Sequence, residues 1–235
     1  MLSLKNISKE FHRNPLNFLL KKNSKVKILN SISFNAMPGE IIAVIGRNGS
    51  GKTTLLKTIS GLLSHDEGSL NYKNVDISNN LNNISLVNSN DRSFFWRLSI
   101  IENLKFFSRD NFIEKDVNKI LELLDLNNKK SHIYLSLSSG EKKRLAIARA
   151  LMQKPKILLL DEFTTSIDII LRQKLLKIIK NLSKDKILDI VIFTTHHLEE
   201  VMLLANKVMF LENGSLIQSR FIDSETTIED LQLYF

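Results

Sequence analysis

The chain of 235 residues contains no cysteine. That excludes a disulfide framework, a thiol nucleophile and a cysteine-based zinc site, and it allows a reducing compartment. Long apolar runs are also missing. Stretches such as Ile41–Ile45 and Ile190–Phe193 fall far below the roughly 18–20 residues that a membrane-spanning helix needs. The opening MLSLKNISKEFHRN has no apolar core of the signal-peptide kind. The expectation is a chain that stays where it is made and leaves any membrane crossing to another chain. Glycine and proline are scarce, at 8 and 3 residues, together about 5% of the chain against an average near 12%. Four of the eight glycines nevertheless fall in two short loops, Gly46, Gly49 and Gly51 in one and Gly140 in the other. Glycine lets backbone approach a ligand closely or take positive φ, so these loops carry a backbone requirement.

What is present looks ordinary in bulk. Hydrophobic residues make up 43% and charged residues 25%, the profile of a globular protein with a sizeable core. The length allows one large domain or two small ones. Lysine and arginine number 33 against 25 aspartates and glutamates, a net charge of +8. That excess suits an anionic partner such as a nucleotide, nucleic acid or lipid head groups; a lysine-rich solvated surface is the plainer explanation.

Strands are expected at Leu2–Ile7, Val26–Phe34, Ile41–Ile45, Ile157–Leu160 and Ile190–Thr194. A basic surface excursion, Asn14–Lys27, separates the first two, and asparagine-rich Asn74–Asn83 reads as loop or edge. Val208–Leu211 and Ser215–Gln218 flank Glu212-Asn213-Gly214, a hairpin signal. Helical periodicity marks Thr53–Ser60, residues 99–126, Glu141–Met152 before Pro155, and Ile167–Leu182. The last carries Ile170, Leu171, Leu175, Ile178, Ile179 and Leu182 on one face. Buried strands alternating with helices predict an α/β core with a mainly parallel sheet.

Gly46-Arg47-Asn48-Gly49-Ser50-Gly51-Lys52-Thr53 matches the phosphate-binding pattern G-x-x-x-x-G-K-[ST], with a strand before it and a helix after it. In such a loop, backbone N–H groups from Gly46 to Thr54 cradle phosphates at a helix N-terminus. Lys52 would reach the β- and γ-phosphates and Thr53 would ligate Mg²⁺. The apolar run Ile157–Leu160 ends in Asp161-Glu162. This places two carboxylates at the carboxyl edge of the sheet, where α/β proteins bind ligands. Asp161 is positioned to hold Mg²⁺, and Glu162 to orient or deprotonate an attacking water. Leu137-Ser138-Ser139-Gly140-Glu141 reads as a helix start capped by serine.

The order of these segments, with a later histidine, resembles the ATP-binding-cassette (ABC) ATPases, and the resemblance spans nearly the whole chain. It implies a P-loop NTPase core, an antiparallel β subdomain and a helical subdomain inserted at approximately residues 90–153, all in one ATPase domain over residues 1–235. It implies ATP and Mg²⁺ as cofactors. Ser138 and Gly140 would belong to the signature that touches the γ-phosphate of ATP on a second ATPase subunit, identical or different. Thr165–Asp168 would form the D-loop, with Asp168 in the nucleotide-binding set. His196 would be the switch histidine that joins Glu162 and Lys52 in catalysis, with His197 where the family often has aspartate. Phe11 would stack on adenine, or else pack at the edge of the core. His12, His65 and His132 take the ordinary structural reading. Two departures stand out: Phe163 replaces the family's usual proline, and no glutamine follows the strand near Ile84–Val87. Asn88, Asn90 or Asp91 would have to substitute.

Residues Asp91–Leu98, the basic excursion and the loop sequence resemble the ATPases of ABC-2 type exporters, including those for polysaccharide or teichoic acid. Phe94, Phe95 and Trp96 lie where that family contacts its membrane subunit; packing within the helical subdomain is the alternative. The expected partners are an integral membrane permease and a second ATPase subunit, with no nucleic acid, and the expected place is the cytoplasmic face of the membrane. The rival functions are an importer ATPase and an ABC ATPase working on nucleic acid or ribosomes.

Overall fold

A computed structural model describes residues 1–12, 25–88, 93–108, 113–165 and 167–232, without the side chain of Glu114. Strands β1 (Leu2–His12) and β2 (Lys25–Ala36) pair antiparallel, and most of the basic excursion between them lies outside the described residues. Strand β3 (Ile41–Ile45) leads into helix α1 (Lys52–Ile59). Strands β4 (Glu67–Tyr72) and β5 (Val75–Asp76) complete a four-stranded antiparallel sheet in the order β2-β1-β4-β5. The asparagine-rich stretch thus supplies the edge strand β5 and two 3-10 turns.

Strand β6 (Ile84–Val87) returns to the central sheet. Helices α2 (Ile100–Phe107), α3 (Glu114–Leu123) and α4 (Ser139–Met152) follow, before β7 (Ile157–Asp161) pairs in parallel with β6. The periodic stretch 99–126 is therefore two helices. Ser99 caps the first with a reciprocal capping box to Glu102. Helix α5 (Ile169–Lys184), β8 (Ile190–Thr194), α6 (Leu198–Leu204), β9 (Lys207–Glu212), β10 (Ser215–Phe221) and α7 (Ile228–Gln232) complete the chain. The central sheet runs β10-β9-β3-β8-β7-β6, parallel except for the β9–β10 hairpin. Among the described residues no helix is long and apolar enough to cross a membrane.

Strand periodicity divides the interior. Ile41, Ala43, Ile45, Leu158, Leu160, Val191 and Phe193 face one apolar core, with Leu104, Leu121 and Leu145 from α2, α3 and α4. Ile42, Val44, Ile157, Leu159, Ile190 and Ile192 face a second, against Leu55 and Leu56 of α1 and Leu4 and Leu70 of the antiparallel sheet. One residue departs from its expected face. Ile170 was expected on the apolar side of its helix, yet it is 83% exposed. Asp168 caps this helix by accepting from the Leu171 N–H at 2.9 Å, which leaves the first turn outside the core while Leu175, Ile178 and Ile179 enter it.

Candidate nucleotide-hydrolysing site

Parallel pairing carries three segments to one edge of the sheet. Thr194 is the register partner of both Val44 and Asp161, so the glycine loop, the paired carboxylates and the histidine loop start side by side.

The loop is shaped by backbone constraint. Gly46 packs so tightly that a Cβ there would lie 2.0 Å from the Leu211 carbonyl oxygen. Gly51, at φ 105°, starts α1 with no side-chain cap. The first N–H groups of a helix have no intrahelical partner, so this uncapped start suits an anion. Lys52 is only 6% exposed, and its Nζ donates to the carbonyls of Gly46 at 2.7 Å and Arg47 at 3.0 Å. Burial lowers its pKa, while the negative charges of Glu162 and Asp161 pull the other way. Ser50 Oγ is buried without a hydrogen-bond partner among the described residues. Gly46→Ala is expected to destabilise the fold by about 2 kcal/mol or more, since overpacking against rigid backbone costs of that order. Thermal unfolding of the variant checks this, and an unchanged Tm would contradict it.

Thr53 Oγ1 lies 3.1 and 3.0 Å from the two oxygens of Asp161, and Thr194 Oγ1 donates to Asp161 Oδ1 at 2.8 Å. Glu162 follows in a left-handed conformation, φ 45°, uncommon for a side chain of its size. Its neighbours hold it there. Its N–H donates to Thr194 Oγ1 at 3.0 Å, and its carbonyl accepts from Lys143 Nζ at 3.3 Å and Thr165 Oγ1 at 3.0 Å. Burial lowers the pKa of Lys143, with Glu162 opposing. Glu162 Oε1 is 3.0 Å from His196 Nε2, a contact that needs the proton on that nitrogen.

A cavity of about 380 Å³ is lined by Asn48, Gly49, Gly51, Lys52, Thr53, Thr54 and Glu162, with Phe11 and Ile28 at its apolar side. Phe11 is 39% exposed, so it borders the cavity and is not sealed in the core. Ser138, Gly140 and Asp168 do not line this cavity. Ser138 caps α4, accepting from the Glu141 N–H at 3.3 Å while Glu141 Oε2 accepts from the Ser138 N–H at 2.9 Å. Bonding to Lys129 and Ser138 keeps the Glu141 pKa low.

Several participants were not evident from the sequence. Ile28 lies after the basic excursion with no motif around it. Thr194 and Lys143 contribute through strand register and helix packing, which no local pattern displays. Phe163 takes the proline's place because its ring fills the core, 1% exposed and edge-on to Phe193. Of the three residues able to replace the glutamine, Asn88 directly follows β6, with Oδ1 buried and unbonded among the described residues. Asn90 and Asp91 lie outside the description. The aromatic segment divides: Phe94 is buried and stacked on Tyr134, while Phe95 and Trp96 are 42% and 66% exposed.

The family model described as "ABC transporter" matches residues 29–165, and the chain belongs to that family. It is an ATP-binding cassette, a member of the ABC ATPases. It is 32% identical over 220 residues to the methionine import ATP-binding protein MetN of Clostridium tetani, matching 88% of this chain and 67% of that one. It is 35% identical over 201 residues to the spermidine/putrescine import ATP-binding protein PotA of Fusobacterium nucleatum, matching 82% of this chain and 53% of that one. The chain thus spans about half to two thirds of the length of these curated relatives. In fold it is similar to the dimeric cassette MJ0796 solved in a post-hydrolysis state with ADP and Pi, with a TM-score of 0.82 at 23% identity, covering 95% of this chain and all of that one.

Proposed function

We propose that this chain energises solute import, with Glu162, His196 and Lys52 acting on the terminal phosphate of ATP bound in the 380 Å³ cavity. The observation that carries the catalytic part is the convergence of the Glu162–His196 pair, Lys52 and the Thr53–Asp161 pair on one sheet edge. Thr53 and Asp161 offer hard oxygen donors side by side, the kind of partial set a magnesium ion takes with phosphate oxygens. Bound there, the ion would neutralise charge on the phosphates. Lys52 then places its ammonium against the β- and γ-phosphates, the α1 N-terminus contributes N–H donors, and Phe11 offers a ring to adenine. Glu162 orients the attacking water and receives its proton, while His196 holds Glu162 and faces the γ-phosphate. Ser138 and Gly140 would serve the nucleotide held by a second copy, with Asp168 at the junction between the two.

Import is favoured over the export suggested by the Asp91–Leu98 segment because MetN and PotA are both named as import ATPases. Membrane vesicles with the cytoplasmic face outward, carrying the permease and this chain, distinguish the two. When loaded with methionine or spermidine and given external ATP, an importer empties them. With the solute supplied outside empty vesicles instead, ATP-dependent accumulation in the lumen would establish export.

The exposed Phe95 and Trp96 supply the proposed permease contact. Buried Asn103 braces them, accepting from the Phe95 N–H at 2.9 Å and donating to the carbonyls of Phe95, Leu98 and Ser99. Replacing both aromatics with glutamate is expected to abolish co-purification with the membrane subunit and leave the isolated chain folded, its Tm lowered a few degrees by loss of the Phe95 contact with Phe106. A normal complex with normal transport would leave these rings without that role.

A further inference from the structure

His196 sits on a short loop, and the residues on both sides of it are tied to a single buried carboxylate. Glu200, in α6, is 1% exposed. Its Oε2 accepts from Thr195 Oγ1 at 2.7 Å, and that hydroxyl accepts from the His197 N–H at 3.0 Å. The Glu200 N–H donates to the His197 carbonyl at 3.1 Å. The other carboxylate oxygen, Oε1, faces Arg172 Nε at 3.5 Å. Both of these atoms are buried and make no hydrogen bond among the described residues. Arg172 belongs to the first turn of α5, and its Nη2 donates to the Ile167 carbonyl at 3.5 Å.

Arg172 is only partly buried, but where the facing atoms are out of water an ion pair is a poor way to gain stability, because desolvation offsets most of the attraction. Its worth is geometric. We propose that Glu200 is a positioning residue for His196, and that Arg172 extends the same link to the Ile167–Asp168 loop. The inference rests on the reading of Glu162 and His196 as the hydrolytic pair. Glu200 fixes the Thr195 hydroxyl, Thr195 fixes the His197 amide, and the imidazole between them is held 3.0 Å from Glu162. None of these side chains lines the nucleotide cavity, so the effect falls on turnover and not on ATP binding.

The test measures kcat, KM and Tm for Glu200→Gln, Thr195→Val and Thr195→Ser, each alone and combined with His196→Ala. Glu200→Gln and Thr195→Val are expected to lower kcat by about 10–100-fold, the cost of a small misplacement at a reacting centre, with KM kept within about twofold. Thr195→Ser restores the hydroxyl and most of the rate. In the His196→Ala background the same substitutions should change kcat by less than about twofold, since groups that act as a unit are not additive. Undiminished effects in that background, a raised KM with normal kcat, or full activity of Thr195→Val would overturn the proposal. If Glu200→Gln fails to fold, Thr195→Val and its serine rescue decide the matter. Full turnover of His196→Ala alone would remove the hydrolytic-pair reading and this inference with it. A slow His196→Ala beside a normal Glu200→Gln would remove only the inference.

Discussion

Glu162→Gln is expected to bind ATP, to hydrolyse it about 10²–10⁴-fold more slowly, the usual cost of losing a general base, and to accumulate as an ATP-bound dimer. The substitution keeps size and shape, and its backbone bonds to Thr194, Lys143 and Thr165 are main-chain bonds that any residue there would make. What changes is chemical. The amide is a far poorer base than the carboxylate, and it removes one negative charge beside the bound phosphates. Like charges a few ångströms apart repel strongly in a partly desolvated site, so the variant should hold nucleotide longer. Size-exclusion chromatography with ATP and Mg²⁺, beside single-turnover hydrolysis, reads both effects. A monomer with wild-type turnover would show that Glu162 is not the base. A slow monomer would keep the base and count against ATP-driven pairing of the subunit alone.

Lys52→Ala should weaken ATP binding by about 100-fold or more and abolish turnover. Each charge-assisted bond to a phosphate contributes on the order of 1.5–3 kcal/mol, and tenfold in affinity corresponds to about 1.4 kcal/mol. Lys52 is poised to make more than one. It is buried, its stem is fixed within α1, and its Nζ already bridges two loop carbonyls. Removing it also leaves those carbonyls without their donor, so the free loop loses its shape before any nucleotide arrives. Titration calorimetry with ATP and Mg²⁺ measures the loss. Unchanged affinity with unchanged turnover would disqualify the loop as the phosphate site.

The parts legible in the sequence were those in which chemistry and spacing are local. The glycine loop carries its strand, its turn and its helix in one unbroken stretch, Ile41 to Ile59, and the apolar run ending in Asp161-Glu162 announces both a strand and its carboxyl end. Alternation of strands and helices was enough for the parallel sheet. The contributions of Thr194 and Lys143 were not legible, because they depend on register between distant strands and on where α4 packs. Ile170 was misplaced for a related reason. Helical periodicity says which residues share a face, but not where the facing core stops. The aromatic segment shows the same limit, since Phe94 and Phe95 are sequence neighbours with opposite fates. Transport direction is not legible in principle from the hydrolytic residues. Splitting ATP asks the same of them whichever way the solute moves.

The central strands lend alternate side chains to opposite cores and keep no face of their own. Neither core can therefore melt alone, because each would have to pull its half of the side chains off a backbone still held by the other. The amides of β3, β7 and β8 should exchange with solvent only through global opening, and together. A cavity cut into either core should loosen protection along all three strands, on both faces at once. Asp161, Thr194 and the start of the glycine loop hang from the ends of these strands. The chemistry proposed for this edge is thus anchored to the last part of the molecule to open.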